Sequence, residues 1–181
     1  NKWSDYAAST PIEDVRAGLF TLRQTTLGMS SAGGVKIIMG ALVERRLLDH
    51  PDFIERIKYS SSPQAPALVT RNLIAQLFGV DEVIVCESVY TNDEEGTAEA
   101  SVTYADVVSD DILIYWTPPS GSRLAPSAGY LFNWSPMGGG LTFTRKGRED
   151  RERRDWIEVH GYLDWVQTAS ASGVNNTDCV D

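Results

Sequence analysis

The chain has 181 residues, 42% hydrophobic and 23% charged, which allows an ordinary globular core of one domain or two small ones and excludes a disordered or fibrous chain. Sixteen Lys and Arg against twenty-five Asp and Glu leave a net charge of −9, which argues against a protein that grips nucleic acid through a broad basic face. Two cysteines, Cys86 in an apolar run and Cys179 near the end, and two histidines support neither a disulfide framework nor a metal site.

The first element begins at Thr10-Pro11-Ile12-Glu13, a capping box with Pro at the first helical position, and the spacing predicts a helix of about five turns to Gly28. At ~100° per residue Ile12, Val15, Leu19 and Leu22 share one arc, its buried stripe. Residues 30–34 (Ser-Ser-Ala-Gly-Gly) read as a flexible linker. Residues 35–39 then read as a buried strand, 41–48 as a helix, 52–58 as a short helix behind His50-Pro51, and 67–78 as a helix ended by Gly79. Residues 83–86 (Val-Ile-Val-Cys) are apolar on both faces, as a central strand would be, and 111–116 repeat that signature before Pro118-Pro119.

Residues 91–96 hold Asp93-Glu94-Glu95 and read as a solvated acidic loop rather than a metal site. Residues 129–134 (Gly-Tyr-Leu-Phe-Asn-Trp) and 141–144 read as strands around the Gly138-Gly139-Gly140 break. The run 145–155 holds six cations and four anions and reads as a solvated loop or a subunit contact laced with ion pairs. Residues 156–166 alternate, with Ile157, Val159, Gly161, Leu163 and Trp165 on one face. One strand of that length would span roughly 36 Å and imply an extended molecule.

Reaction chemistry is not evident. There is no Gly-x-Ser-x-Gly elbow, no Gly-x-Gly-x-x-Gly and no phosphate-binding loop, and Gly40 after the first strand reads as structural. His50 and His160 lack neighbours at metal spacing and read as packing or hydrogen-bonding residues; Cys86 reads as a small buried hydrophobe. No catalytic, cofactor-binding or metal-binding residue is therefore assigned, and no cofactor. No apolar run approaches the ~20 residues that cross a bilayer, and the opening Asn1-Lys2-Trp3-Ser4-Asp5 is no signal peptide and lacks a Met. The five tryptophans, Trp3, Trp116, Trp134, Trp156 and Trp165, suit packing and subunit interfaces.

Read in order, several segments resemble the major capsid protein family of tailed bacteriophages, with the Hong Kong 97-type fold. They are Trp3-Ser4-Asp5 with Pro11, Asp14 and Val15; Leu48 and His50-Pro51 followed by Ile54-Glu55-Arg56-Ile57-Lys58-Tyr59; Leu77-Phe78-Gly79-Val80-Asp81 leading into Val83-Ile84-Val85; Tyr90 before Gly96; and Gly129-Tyr130-Leu131-Phe132-Asn133-Trp134. Two features depart from the family: Ala32-Gly33-Gly34 stand where Pro-Asn often precedes the first strand, and the tail 173–181 is more polar than a final strand.

The resemblance implies an α+β fold in two interleaved parts. A peripheral (P) domain would comprise residues 1–34 and 155–168, as a spine helix and a long strand; an axial (A) domain would comprise 35–154 and 169–181, as a central mixed sheet flanked by helices. It also implies a chain truncated at its N-terminus, without the arm and extended hairpin loop of the family. The implied function is structural and not enzymatic: a phage or prophage capsid subunit, made in the bacterial host cytoplasm, that self-assembles into an icosahedral virion shell. Its partners would be copies of itself, in pentamers and hexamers, with scaffolding or other head proteins; it would enclose double-stranded DNA without specific binding and have no membrane role. An encapsulin-like shell subunit is the alternative within this fold, distinguished by whether neighbouring genes encode portal and terminase or an enzyme cargo. A small α/β enzyme using residues 127–134 or the acidic loop is the alternative of another class.

Overall fold

A computed structural model describes residues 2–60, 70–121, 125–134 and 140–180. Helix α1 (Pro11–Thr25) starts as the sequence suggests, with Pro11 in its first turn, Glu13 and Asp14 at its positive end and Arg23 at its negative end. The Thr10 side chain makes no capping bond; its carbonyl accepts the amides of Glu13 and Asp14 instead. The helix ends three residues before Gly28, about four turns long. The expected linker is not loose: Met29–Ala32 form one 3₁₀ turn, and buried Ser30 accepts a hydrogen bond from Thr26.

Strand β1 (Val35–Gly40) leads through α2 (Ala41–Leu48), α3 (Pro51–Ser60) and α4 (Arg71–Phe78) to β2 (Glu82–Cys86). Helix α4 begins at Arg71 with Thr70 accepting the Leu73 amide, and Gly79 closes it in the left-handed region; residues 67–69 of the expected helix lie outside the described residues. After β2 come a two-residue pair, β3 (Val89–Tyr90) and β4 (Ala105–Asp106), then β5 (Ile112–Trp116), β6 (Gly129–Asn133), β7 (Phe143–Glu149), β8 (Arg154–His160), β9 (Leu163–Gln167) and β10 (Gly173–Asn176).

The main sheet runs β10-β5-β1-β2, with β1 and β2 parallel and β5 antiparallel to both β1 and β10. Strand β2 is therefore an edge strand and not the central one its apolar run suggested; Ile84 is exposed on it. The polar tail does supply a strand: β10 pairs with β5 from Gly173↔Tyr115 to Asn176↔Ile112.

One face of the sheet carries the core. Val35, Ile37 and Met39 of β1 and Ile112, Ile114 and Trp116 of β5 are buried in one cluster with Ile12, Val15 and Leu22 of α1, Val43 and Leu47 of α2, Phe53 of α3, and Ile74 and Phe78 of α4. Leu19, expected in the stripe, is only partly buried at its rim. Helix α1 lies so close to β5 that a Cβ on Gly18 would stand 2.7 Å from the Ile114 side chain. The two ends of the chain meet in the same core: the Trp3 amide donates to the Cys179 carbonyl at 2.7 Å, the Trp3 indole to Asp14 at 2.8 Å, and Lys2 pairs with Asp178 at 2.7 Å. Burial, with Asp111 and Asp110 nearby, pushes the Cys179 thiol up to about 11, so it stays a protonated core residue.

The second half of the chain departs most from expectation. Of residues 145–155, only 150–153 form a turn: β7 and β8 pair from Phe143↔His160 to Glu149↔Arg154 in a charged hairpin, laced with ion pairs from Arg148 and Arg154. The expected single strand over 156–166 is divided between β8 and β9 by Gly161 and Tyr162, and β9 pairs with β6 from Gly129↔Gln167 to Asn133↔Leu163. The two pairings make one long ribbon with a joint. Residues 134–142 separate its strands on one arm, and only Gly161 and Tyr162 on the other. Aromatic rings pack that joint: Trp134 meets Tyr162 edge-on at 5.6 Å, and Phe143 stacks on His160 at 5.0 Å.

Candidate functional site

The residues that could carry chemistry are dispersed. His50 is fully buried at the start of α3, where its Nδ1 accepts the Asp52 amide at 3.2 Å. Its Nε2 therefore carries the proton and donates to Ser9 Oγ at 3.0 Å, whose own hydroxyl donates to the Asp5 carbonyl at 2.7 Å. The ring is a fully bonded packing residue, as expected from the sequence, and it pins the N-terminal segment onto α3.

Burial lowers the His50 pKa, against a smaller upward pull from Asp52. The neutral ring is thus favoured by folding, and its contribution is complete above the ordinary value of 6.5 and lost as pH falls below it. Acidification from about pH 7.5 to 5.5 should lower the thermal midpoint, and H50N should flatten that dependence. An equal slope in both proteins would contradict this assignment.

His160 lies in the ribbon, 2.9 Å from Glu158 and stacked on Phe143. Asp93 accepts from the Thr103 amide at 2.5 Å and from the Thr91 hydroxyl at 2.9 Å, bonds that hold its carboxyl below the usual range and use it to close its own loop. Cys86 is half-buried on the edge strand. His50, His160 and Asp93 share no partner and belong to three parts of the fold. Among the described residues no three His, Cys, Asp or Glu side chains gather as a metal site, and no helix is long and apolar enough to cross a membrane. Arg71 joins Glu44 at 2.5 Å and also Glu87, an exposed ion-pair network that ties α4 to α2 and the end of β2 and holds its guanidinium charged.

The most distinctive surface is the ribbon. Ile157 is 66% exposed, Val159 67% and Trp165 70%, and Leu131, Leu163 and Trp134 are exposed as well. Cross-strand pairing sets these side chains in order: Trp165 opposite Leu131, Ile157 opposite Lys146, Val159 opposite Thr144. A Cβ on Gly147 would meet the indole of its partner Trp156 at 2.2 Å, so that ring lies directly over the glycine. At the ribbon's root, Trp165 and Gln167 border a cleft of about 370 Å³ with Ile38, Leu113 and Tyr115 on the helix-free face of the sheet. A two-stranded ribbon is marginal by itself in water, and this one keeps a row of large apolar side chains in solvent.

Two of the five tryptophans singled out from the sequence, Trp3 and Trp116, belong to the core, and Trp134, Trp156 and Trp165 stand exposed on the ribbon. One feature escaped the sequence reading: from Asn72 to Ser122 there are ten carboxylates and no Lys or Arg, whereas the rest of the chain has fifteen acids against sixteen cations. Counting charge by segment would have revealed it.

No protein-family model matches the chain. Over 112 residues, 62% of its length, it is 27% identical to the major capsid protein of Burkholderia phage BcepMu, and the match covers 32% of that protein. Its fold is similar to that of a phage-related protein from Bordetella bronchiseptica RB50, with a TM-score of 0.77 at 19% identity, over 98% of this chain and 54% of the other. The chain thus spans about half the length of that solved protein, and the matched stretch about a third of the curated relative. The mixed α+β architecture is shared with a phage-related protein, and the sequence likeness is to a phage capsid protein.

Proposed function

We propose that the chain is a structural subunit of a tailed-phage or prophage capsid with the Hong Kong 97-type fold, and that it self-assembles into an icosahedral shell around double-stranded DNA. The observation that carries this reading is the jointed ribbon, whose exposed Ile157, Val159 and Trp165 have the composition of a surface that another subunit covers. The likeness to a phage major capsid protein supports the same assignment.

In this reading the main sheet with α2, α3 and α4 is the axial part and the ribbon the peripheral part. Helix α1 shares its core with the sheet, which ties the proposed peripheral part (1–34 and 155–168) to the axial part (35–154 and 169–181). The mechanism is assembly: repeated heterologous contacts close into rings of five and six and then into a shell, with multivalent closure supplying cooperativity. Scaffolding or other head proteins would assist, and synthesis would take place in the host cytoplasm. The net charge of −9 suits a wall that surrounds DNA without gripping it.

Sedimentation velocity over a wide concentration range tests the reading. Species larger than the monomer should grow with concentration at moderate salt. A single monomer boundary at every concentration, up to the millimolar range, would overturn it.

A further inference from the structure

The main sheet ends on one side at β10, and helix α1 runs beside that edge. A groove of about 690 Å³ separates the two: Asp14, Ala17 and Thr21 of α1 form one wall, and Asn175, Asn176 and Thr177 form the other. Bonds bridge both of its ends. At one, the Thr25 hydroxyl donates to the Ala171 carbonyl at 2.7 Å; at the other, Trp3 and Lys2 are tied to Cys179 and Asp178. From Asp14 to Thr25 the helix rises about 16 Å, the length of about five extended residues.

The strand wall offers unused backbone. In an antiparallel pair, alternate residues turn both N–H and C=O away from the partner strand, so two of the four residues Gly173–Asn176 present theirs at the open edge. Among the described residues β10 has no backbone partner other than β5; the Cys179 thiol donates to the Asn176 carbonyl at 3.5 Å. Such an edge is a template for a further strand. The groove is also charged at one end. Asp14, Asp110, Asp111 and Asp178 gather there, each close enough to act on the Cys179 thiol, and Lys2, paired with Asp178, is the one cation among the lining residues.

We propose that this groove binds an extended segment of another polypeptide chain as an added strand of the main sheet, paired with β10 and walled by α1, with a Lys or Arg of that segment at the Asp14 and Asp178 end. Backbone hydrogen bonds to β10 supply affinity with little regard to sequence, and the carboxylates select a cationic end and set its position. Ala17 and Thr21, both exposed, leave room beside the helix for the short side chains of the added strand. The site lies apart from the ribbon and does not rest on the shell-subunit reading.

The test uses the full chain and a blocked heptapeptide that alternates valine and threonine between terminal lysines, followed through amide shifts in two-dimensional NMR. Saturable shifts are expected along Val174–Asn176 and around Ala17 and Thr21. Methylating every second backbone nitrogen of the peptide should weaken binding about tenfold in the register that faces β10 and little in the other. Glutamates in place of the lysines should also weaken it about tenfold at low salt. A17W, which fills the groove from an exposed position, should do the same with an unchanged thermal midpoint. D14N keeps an acceptor for the Trp3 indole, so it should weaken the lysine peptide only about threefold and spare an alanine-ended one. No saturable shift up to the millimolar range, equal binding of the two methylated registers, or binding that A17W leaves unchanged would overturn the proposal. Broadening of the same β10 amides with chain concentration alone, abolished by A17W, would assign the groove to a second copy and overturn it likewise.

Discussion

Replacing Leu22 with Asp should abolish cooperative folding or lower the thermal midpoint by tens of degrees. Leu22 is fully buried where α1 meets the sheet, in the same cluster as Ile37, Ile112 and Ile114, and no cation in that cluster could pair with a new carboxylate. An uncompensated buried charge costs about 3–5 kcal/mol, to which the lost leucine contacts add, against a typical total stability of about 5–15 kcal/mol. Leu22→Ala keeps the site apolar and should cost about 2–5 kcal/mol, so the pair separates buried charge from lost packing. Leu19→Asp should be milder, because that side chain stands at the rim. Thermal melts by circular dichroism decide the order; equal midpoints for L22D and L19D would mean that the α1 face is misassigned.

Gly40→Val should be nearly as damaging for a different reason. Gly40 ends β1 where the chain turns into α2, and a Cβ there would stand 2.2 Å from the Ser109 carbonyl oxygen and 2.4 Å from that of Val108. Both obstacles are backbone, so neither can swing aside as a long side chain could. The glycine that follows the first strand, which in another fold opens a phosphate loop, here lets the segment before β5 cross close over the end of β1. Poor soluble yield, or a midpoint far below wild type, is expected; a variant with wild-type stability would show that the 108–109 segment moves freely.

The helices and the inner strands were legible because their signals are local. Pro11 with acids behind it, Pro51 after His50, and Gly79 after Phe78 mark helix ends, and alternating burial along β1 and β5 follows the apolar pattern. What failed was whatever depends on neighbours. Four apolar residues at 83–86 specify a strand but not how many strands flank it, and β2 turned out to be an edge.

The charged run 145–155 lacks β-branched residues and looked like a loop. Its strand character comes from across the hairpin, where Arg145 faces Glu158, Arg148 faces Asp155 and Glu149 faces Arg154. Along 156–166 the alternation was real, yet within the monomer it leads to no core, and only the aromatic joint at Tyr162 shows why the strand divides. The surface singled out by structure is half visible in the sequence: its tryptophans suit interfaces, whereas only the pairing of β6 with β9 and of β7 with β8 shows that Trp134, Trp156 and Trp165 share one ribbon.

The net charge of −9 also changes in meaning. It is concentrated in one 51-residue stretch, Asn72 to Ser122, and the remainder of the chain is close to neutral. Such segregation favours directed contacts between copies over uniform repulsion.

The central claim is that the exposed ribbon is covered by another subunit. Electron microscopy of the concentrated full chain, beside I157D/V159D, tests it most directly. The account predicts rings or other oligomers short of a closed shell for the wild type, and for the variant only monomers with an unchanged melting midpoint, since both substituted side chains are already in solvent. Assemblies that persist unaltered in I157D/V159D would contradict it.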